Sequence, residues 1–333
     1  MLLRASSAVL GGCLVALAFS AMAVCGRVTA QHQIPPLLTM ALRSLFGLFF
    51  TLTQALSMNS EKRRAELLLA RPQWKLLLLR APFSWVGQYG SFWAYAQGNL
   101  ALGDIAALFQ TVPIWTIAMG YIFLGTRLRT SQGIAASLAI IGAVFIARPS
   151  ILFASGGDST HAIEATQLFT VSVVVAAAIG AGGAYTVVAA LNNRGVGATA
   201  QVMVNMMVLT TVCFTAAGLL GACTLPSNLP WEAWAALIGV SIFGTAGQIG
   251  TVLVVRLASA TTFAITQELD VVLNFTWDAL LFSRVLDAVS LCGASLICSG
   301  ILFLAFSDRT AGKHMSSDDA PRDKRELLPA DAE

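Results

Sequence analysis

Long apolar stretches alternate along the chain with short polar or turn-forming breaks. A helix needs roughly 20 residues to cross a hydrocarbon core of ~30 Å. Ten stretches approach that length, with approximate limits 6–28, 34–57, 77–98, 103–124, 131–148, 167–190, 197–221, 231–254, 259–283 and 287–306, here called spans 1 to 10. The pattern predicts an all-α integral membrane protein with about ten transmembrane helices.

Span 1 has two interpretations. Arg4, the apolar run that follows it and the small residues at 18–23 also resemble a cleavable signal peptide. We favour a retained helix, because the internal repeat described below needs five helices in each half. Whether span 1 is cleaved stays open.

Charged residues are scarce in the body of the protein. Of 333 residues, 56% are hydrophobic and 11% charged, whereas soluble domains carry about 25% charged residues. Of the 37 charged residues, 12 follow Phe306 in a polar tail. The body is therefore expected to face lipid. A net charge of +3 from scattered basic residues argues against a nucleic-acid partner.

The positive residues are unevenly shared between the two sides of the predicted bundle. With ten helices, 16 of the 20 Lys and Arg residues, Arg80 among them, fall on the side that holds both termini. The other side holds Arg27, Arg148 and Arg284, and Arg43 lies inside span 2. Because Lys and Arg are retained on the cytoplasmic face, both termini are predicted to be cytoplasmic.

An internal repeat divides the chain into halves. A shift of 158 residues superposes 136–142 on 294–300, and 123–128 on 281–286, without a gap. Spans 4 and 5 thus match spans 9 and 10. Five is an odd number, so the second copy enters the membrane in the opposite orientation, as in many secondary transporters. The predicted domains are two inverted five-helix repeats at 1–152 and 153–306 and a polar cytoplasmic tail at 307–333.

Several motifs carry a family resemblance. The run ALGDIAALFQTVP at 101–113, the LGTRL at 124–128 and the helix that ends in ARP at 147–149 resemble the first half of an EamA-type member of the drug/metabolite transporter superfamily. The second half looks like a copy of the first. Residues 266–277, TQELDVVLNFTW, further resemble the ninth helix in the G branch of the solute carrier 35 family.

The resemblance implies a carrier of small organic solutes such as metabolites, amino acids, nucleotide sugars or drug-like compounds. The sequence departs from the family at two helix ends. Family members usually carry Glu after the Leu-Gly of the fourth helix and at its counterpart in the ninth, where this chain has Thr126 and Arg284. What the family implies about substrate or coupling ion at those ends is therefore in doubt.

Ionisable residues inside spans are the first candidates for function, because they are costly in a membrane unless they are paired or face water. Arg43 lies in span 2, and Glu268, Asp270 and Asp278 lie in span 9. The depth of Arg43 predicts a pair with Asp270 or Asp278, which could serve either solute binding and gating or helix packing alone. Helical spacing puts Glu268 roughly opposite Asp270, so the three acids cannot share one cavity. An acid without a cationic partner could bind a proton.

Polar and aromatic residues at middle depth could complete a solute site, although each is also a candidate for ordinary helix packing. Those assigned to substrate binding or gating, besides the charged residues, are Gln88, Trp93, Tyr95, Gln110, Tyr185, Gln248 and Asn274. Pro113 is expected to interrupt span 4, and a broken helix is a common place for a solute contact. The small residues at 180–184 are interpreted as close helix packing, with a gating hinge as the alternative.

These features favour a transporter that works by alternating access, with proton coupling and exchange both open. The alternatives are a multi-span membrane enzyme, or a receptor or scaffold. The His314…Asp319 spacing of an acyltransferase falls in the polar tail, where nothing would hold a substrate. We therefore predict no enzyme activity, no cofactor and no metal site. The expected partners are a small-molecule solute and the lipid bilayer, and a homodimer is left open.

The membrane that holds the protein is less defined by the sequence. The plasma membrane is the first expectation, with Golgi or endolysosomal membranes as alternatives. The tail residues 323–328, DKRELL, resemble an acidic di-leucine sorting signal. A pattern this loose does not decide between these membranes.

The predicted topology can be tested by cysteine labelling. In a cysteine-free background, a single cysteine at Ser60 should resist an impermeant thiol reagent added to intact cells and react after permeabilisation, because its loop is rich in Lys and Arg. Labelling from outside would contradict both the orientation and the inverted repeat.

Overall fold

The computed structural model describes residues 2–125, 165–257 and 260–283, with side chains from Leu10 onward, and short stretches between 130 and 145 and between 288 and 303. Most of span 5, part of span 10 and all residues after 303 lie outside the described residues. Regular structure in the described part is helical. This agrees with the all-α class predicted from the sequence.

The first half contains six described α-helices. They are α1 (Leu2–Gln31), α2 (Pro36–Ser57), α3 (Ser60–Ala70), α4 (Trp74–Gln97), α5 (Leu102–Phe109) and α6 (Val112–Leu124), with a 3₁₀ turn at Arg71–Gln73 between α3 and α4. Pro36 begins α2, where a missing N–H costs nothing. Gly98 ends α4 with φ +68°, a left-handed conformation that favours glycine. The start of α2 and the end of α4 therefore lie close to the predicted start of span 2 and the predicted end of span 3.

The second half contains five more described helices. They are α7 (Ala165–Asn193), α8 (Ala198–Leu219), α9 (Trp231–Leu257), α10 (Ala260–Thr266) and α11 (Leu269–Leu281). Spans 6, 7 and 8 thus correspond to α7, α8 and α9.

Six helical stretches in the described residues are long and apolar enough to cross a membrane. They are Leu10–Gln31, Pro36–Ser57, Leu102–Phe123, Thr166–Asn193, Ala198–Leu219 and Trp231–Leu257. Large apolar side chains such as Phe49, Ile122 and Leu219 are exposed on their surfaces, as expected where a protein meets lipid instead of water. The chain is a multi-span integral membrane protein.

Spans 4 and 9 are both interrupted. Span 4 divides into α5 and α6 at Gln110 and Thr111, and Pro113 lies in the first turn of α6. This is the interruption that Pro113 predicts. Span 9 divides into α10 and α11 at Gln267 and Glu268. The sequence analysis predicts a continuous helix there, because no proline or glycine marks the break.

Close packing of α4 against α7 depends on glycine. A methyl group at Gly180 would lie 2.8 Å from the Phe83 carbonyl oxygen and the Gly87 nitrogen, and one at Gly90 would lie 2.8 Å from the Cβ of Ala177. Backbones can approach this closely only where side chains are absent. The packing interpretation of 180–184 is therefore supported by these contacts.

The remaining helix pairs surround the middle of the described bundle. The helix α1 packs along α9, α2 along α8 and α9, and α5 along α11. The two interrupted spans meet through α5 and α11, and through α10 and α6. This arrangement leaves a cavity beside the two breaks.

Candidate functional site

A cavity lies among α1, α4, α5, α7 and α9 and reaches the break between α10 and α11. Its empty volume is about 830 Å³, including the part that is open to its surroundings. The wall is largely apolar and aromatic, with Phe19, Phe92 and Phe109 among its members. Solute sites in proteins typically combine such walls with a few converging polar groups, and the described bundle meets this expectation here.

Six of the eleven side chains assigned to binding or gating line this cavity. They are Gln88, Tyr95, Gln110, Tyr185, Gln248 and Asp270. They come from five helices and from residues far apart in the chain. Polarity at middle depth in a predicted span therefore correctly indicates that these side chains line a cavity.

Arg80 lies deeper than the distribution of positive residues predicts. That distribution puts Arg80 with the cytoplasmic positive residues, but its side chain is 1% exposed and lines the cavity. Its Nη2 donates to Oε1 of Gln248 at 3.0 Å. The helix α4 begins at Trp74, so Arg80 lies about 9 Å inside it at 1.5 Å per residue. The available signal was that Arg80 falls within the limits of span 3.

Arg43 is buried as predicted but does not pair with an acid. Its side chain is 1% exposed, and it donates through Nη1 to Oε1 of Gln88 and through Nη2 to the Gly244 carbonyl oxygen at 3.1 Å. The predicted ion pair with Asp270 or Asp278 is thus not formed. The reason is packing, since α2 lies mainly against α8, α9 and α4, whereas both acids are on α11. Arg43 lies outside the cavity wall and orients Gln88, which belongs to it.

The three acids of span 9 occupy three different environments. Asp270 lines the cavity, and its Oδ1 accepts a hydrogen bond of 2.8 Å from Nδ2 of Asn274. Glu268 is 3% exposed, and among the described residues its carboxyl oxygens have no hydrogen-bond partner. Asp278 is 2% exposed, and its Oδ2 accepts from the Gly103 amide at 2.7 Å. The argument that the three cannot share one cavity agrees with these positions.

Asp278 has a clear structural role. The Gly103 amide belongs to the first turn of α5, where N–H groups lack partners within the helix and a carboxylate is favourable. A methyl group at Gly103 would overlap the ring of Phe275. Asp278 and Gly103 therefore lock α11 against the start of α5.

Two further predicted site residues lie away from the cavity wall. Trp93 is half-buried and stacks edge-to-face on Phe169, with ring centroids 5.4 Å apart. Asn274 is 1% exposed, and its side-chain amide donates to both the backbone oxygen and the carboxylate of Asp270. Trp93 thus packs α4 against α7, and Asn274 positions Asp270, which lines the cavity.

The two helix breaks are joined by glutamine side chains. Nε2 of Gln110 donates to the Gln267 carbonyl oxygen at 2.7 Å, and Nε2 of Gln267 donates to the Gly12 carbonyl oxygen at 3.1 Å. Both glutamines are 3% exposed and line the cavity. The Gln267 carbonyl oxygen thus accepts two hydrogen bonds at the break, one from the Gln110 side chain and one of 2.9 Å from the Asp270 amide.

Among the described residues that line the cavity, one is a cation and one is an anion. Arg80 and Asp270 both line it, and Tyr185 is close enough to each to interact electrostatically with both. Among the described residues, Arg80 and Asp270 form no ion pair with each other or with another charged side chain. No group of three or more potential metal ligands occurs in the described part of the chain.

The sequence is similar to known membrane transporters. Residues 6–148 match the EamA-like transporter family. The pseudopaline exporter CntI of Pseudomonas aeruginosa is 25% identical over 244 residues, which cover 73% of this chain and 79% of the exporter, and the same protein from a second strain matches equally.

A solved crystal structure shares the fold. It superposes on 92% of this chain and 99% of its own chain with a TM-score of 0.63 at 17% sequence identity. At this identity the likeness concerns the arrangement of helices and not the solute.

The contact between Arg43 and Gly244 predicts a sharp intolerance of side chains at this glycine. A methyl group at Gly244 would overlap the Arg43 guanidinium, so Gly244→Ala should destabilise the protein by about 1–3 kcal/mol through overpacking. The melting temperature in detergent is the measurement.

A matched control is Gly218→Ala in α8, where a methyl group meets nothing within 4 Å. Alanine is the better helix former by about 0.5–1 kcal/mol, so this change should leave the melting temperature unchanged or raise it. Equal melting of the two variants would contradict the packing of Arg43 on Gly244.

Proposed function

We propose that this chain, a membrane transporter of small solutes whose first half matches the EamA-like transporter family, moves a small organic solute through the central cavity by alternating access. The observation that carries this proposal is the convergence of Arg80, Asp270 and several glutamine and tyrosine side chains from different helices on one apolar-walled cavity. Such a site serves binding and orientation of a solute. No catalytic constellation is needed for this activity.

The two interrupted spans support the cavity as the solute site. Transporter sites often form where helices are broken, because free backbone groups can contact the solute. Gln110 and Gln267 each lie at a break, and both line the cavity. The breaks are 157 residues apart in sequence, close to the shift of 158 that superposes the two halves.

This correspondence supports ten transmembrane helices in two inverted repeats. The EamA-like match ends at 148, near the proposed end of the first repeat at 152. In the proposed architecture, the halves 1–152 and 153–306 rock against each other around the cavity, and the tail from 307 lies with the N-terminus in the cytoplasm. Alternating access then follows from the movement of one repeat relative to the other.

Glu268 is the proposed proton-coupling group. It lies at the second break, is 3% exposed and has neither a hydrogen-bond partner nor a cationic partner among the described residues. Its titratable neighbours within electrostatic range include Asp270 and Cys298. A buried carboxyl group of this kind in a membrane is a default candidate for a proton relay.

Filling the cavity should stop transport. Ser91 lines the cavity, is 8% exposed and donates to the carbonyl four residues earlier. We expect Ser91→Phe to reduce uptake into proteoliposomes below about a tenth of the wild-type rate, because the ring occupies space that the solute needs. Uptake from a defined metabolite mixture is measured by mass spectrometry of the vesicle contents.

Ser172→Phe is the matched control for this experiment. Ser172 makes the same bond to the carbonyl four residues earlier but is exposed on α7. The Ser172→Phe variant should transport the solute at the wild-type rate. If Ser91→Phe is folded and transports as well as Ser172→Phe, the cavity is not the solute path.

Proton coupling should depend on the carboxyl group of Glu268. Glu268→Gln keeps the shape and is expected to abolish stimulation by an imposed pH gradient, while solute exchange across the membrane in the absence of a gradient continues. Glu232→Gln, at an exposed position in the first turn of α9, should respond to the gradient like the wild type. Retained stimulation in Glu268→Gln would remove this residue from the coupling mechanism.

A further inference from the structure

We propose that the exposed face of α3, together with the 3₁₀ turn and the first residues of α4 that follow it, binds the headgroups of anionic phospholipids. The segment 60–75 joins α2 to α4 and contains five basic and two acidic residues. Of the two acids, Glu61 is exposed and Glu66 is partly buried. The exposed basic side chains are Lys62, Arg64, Arg71 and Lys75. These residues are not part of the cavity wall, so the proposal concerns a second site.

Contacts with the bundle fix the orientation of α3. Ala70 is buried and Glu66 is partly buried, and the two lie four residues apart on one face of the helix. A methyl group at Gly197 would overlap the Glu66 carboxyl group, so Glu66 lies directly against the start of α8. The 3₁₀ turn is held too, because Nη1 of Arg194 donates to Oε1 of Gln73. The opposite face of α3 is therefore directed away from the bundle.

This outward face of α3 combines basic and apolar side chains. Leu68 and Leu69 are 62% and 48% exposed. Leu68 lies about one helical turn after Arg64, and Leu69 lies about two turns after Lys62. The basic residues thus occupy the first part of the face and the leucines the second. Helices with such a face lie in the membrane interface, where the apolar side chains reach the acyl boundary and the basic ones contact anionic lipids.

The start of α4 lies where headgroups are expected. Trp74 begins α4 and is 55% exposed, and tryptophan is enriched at membrane–water interfaces. Nζ of Lys75 lies 5.8 Å from the centre of the Trp74 ring, within the range of a cation–π contact. One turn further along α4, Leu78 and Leu79 are exposed, as expected in the hydrocarbon region. The basic segment therefore lies beside the level at which the apolar surface begins.

Charge complementarity selects anionic lipid as the partner. The segment is on the side predicted to be cytoplasmic, and the anionic lipids of the cytoplasmic leaflet attract basic segments beside a transmembrane helix. A soluble anion would neutralise the basic side chains but leave Leu68, Leu69 and Trp74 in water. A bilayer with anionic headgroups satisfies the charged and the apolar parts of this surface together.

The test measures which lipid surrounds α3 in the full-length protein. In a cysteine-free background, Leu68→Cys is labelled with a fluorophore, and the protein is reconstituted in vesicles of equal parts phosphatidylcholine and phosphatidylserine. One sample has brominated phosphatidylserine and the other brominated phosphatidylcholine, so that quenching reports the adjacent lipid. We expect phosphatidylserine to be enriched at position 68 by at least about fivefold, the effect of one basic residue near an anionic surface. Both leaflets have the same composition, so the result does not depend on the orientation of the protein.

Charge removal and a second probe position are the controls. Removal of the exposed charges should equalise the two lipids at position 68, and the combined changes are Lys62→Gln, Arg64→Gln, Arg71→Gln and Lys75→Gln. Removal of the same charge from the tail should leave the enrichment unchanged, and the combined changes are Arg309→Gln, Lys313→Gln, Lys324→Gln and Arg325→Gln. A fluorophore on Cys223, which is exposed in the stretch 220–230 that has no charged residue, should detect no enrichment.

Each outcome either supports or overturns the inference. Equal quenching by the two lipids at position 68, with the basic residues in place, would overturn it, and so would enrichment that survives their removal. Weak quenching by both lipids would assign the surface to a protein occupant, such as the acidic tail or a second copy of the chain. If soluble glycerophosphoserine abolishes the enrichment while sodium chloride at the same ionic strength does not, the surface binds a free phosphate compound and the lipid assignment fails. The comparison of position 68 with Cys223 needs no charge variant, so it decides the question even if the four changes in 62–75 prevent folding.

Discussion

The bond from Gln110 to the Gln267 carbonyl joins the two places where a membrane-spanning stretch is interrupted. An interrupted helix leaves backbone groups without helical partners, and no water is available in a bilayer core to satisfy them. Such a break is stable only where protein groups or a cavity take over that role. At the second break the Gln267 carbonyl accepts from the Gln110 side chain and from the Asp270 amide, and the Gln267 side chain donates to the Gly12 carbonyl of α1. Gln110 and Gln267 both line the cavity, so the cavity lies beside both breaks.

Buried charge follows the same constraint. Arg43 and Arg80 are both 1% exposed, and each is held by the amide oxygen of a glutamine instead of a carboxylate. Arg43 also donates to the Gly244 carbonyl and lies outside the cavity wall, whereas Arg80 is part of that wall. The same residue type thus contacts the packed bundle at one position and the cavity at another.

Small residues make this polar interior possible. Gly87 and Gly180 bring α4 and α7 close together, and the same two helices contribute Arg80, Gln88 and Tyr185 to the cavity wall. Close backbone contact on one face of α4 leaves its polar face directed inward.

The sequence by itself determined the features that depend on local composition and periodicity. Residue type and position along one helix predict the helical class, the multi-span character and the interruption at Pro113. They also predict which polar or aromatic side chains lie at middle depth, namely Gln88, Tyr95, Gln110, Tyr185 and Gln248. The motifs at 101–128 lie within the stretch that matches the EamA-like transporter family. These properties do not require knowledge of which helices are neighbours.

Only the tertiary structure decided which polar groups meet. The pairing of Arg43 was predicted from depth, but depth does not specify which helix faces α2, and packing brought Gln88 and Gly244 to it instead of an acid. The count of positive residues places Arg80 at the cytoplasmic end of its helix. Such a count cannot distinguish a side chain that reaches the membrane–water interface from one that turns into the bundle. No proline marks the break at Gln267. The contacts to Gln110 and Gly12 that accompany this break come from other parts of the chain, so the local sequence does not reveal it. Helix neighbours are set by the shape of packed faces, and a linear pattern of residues does not contain that information.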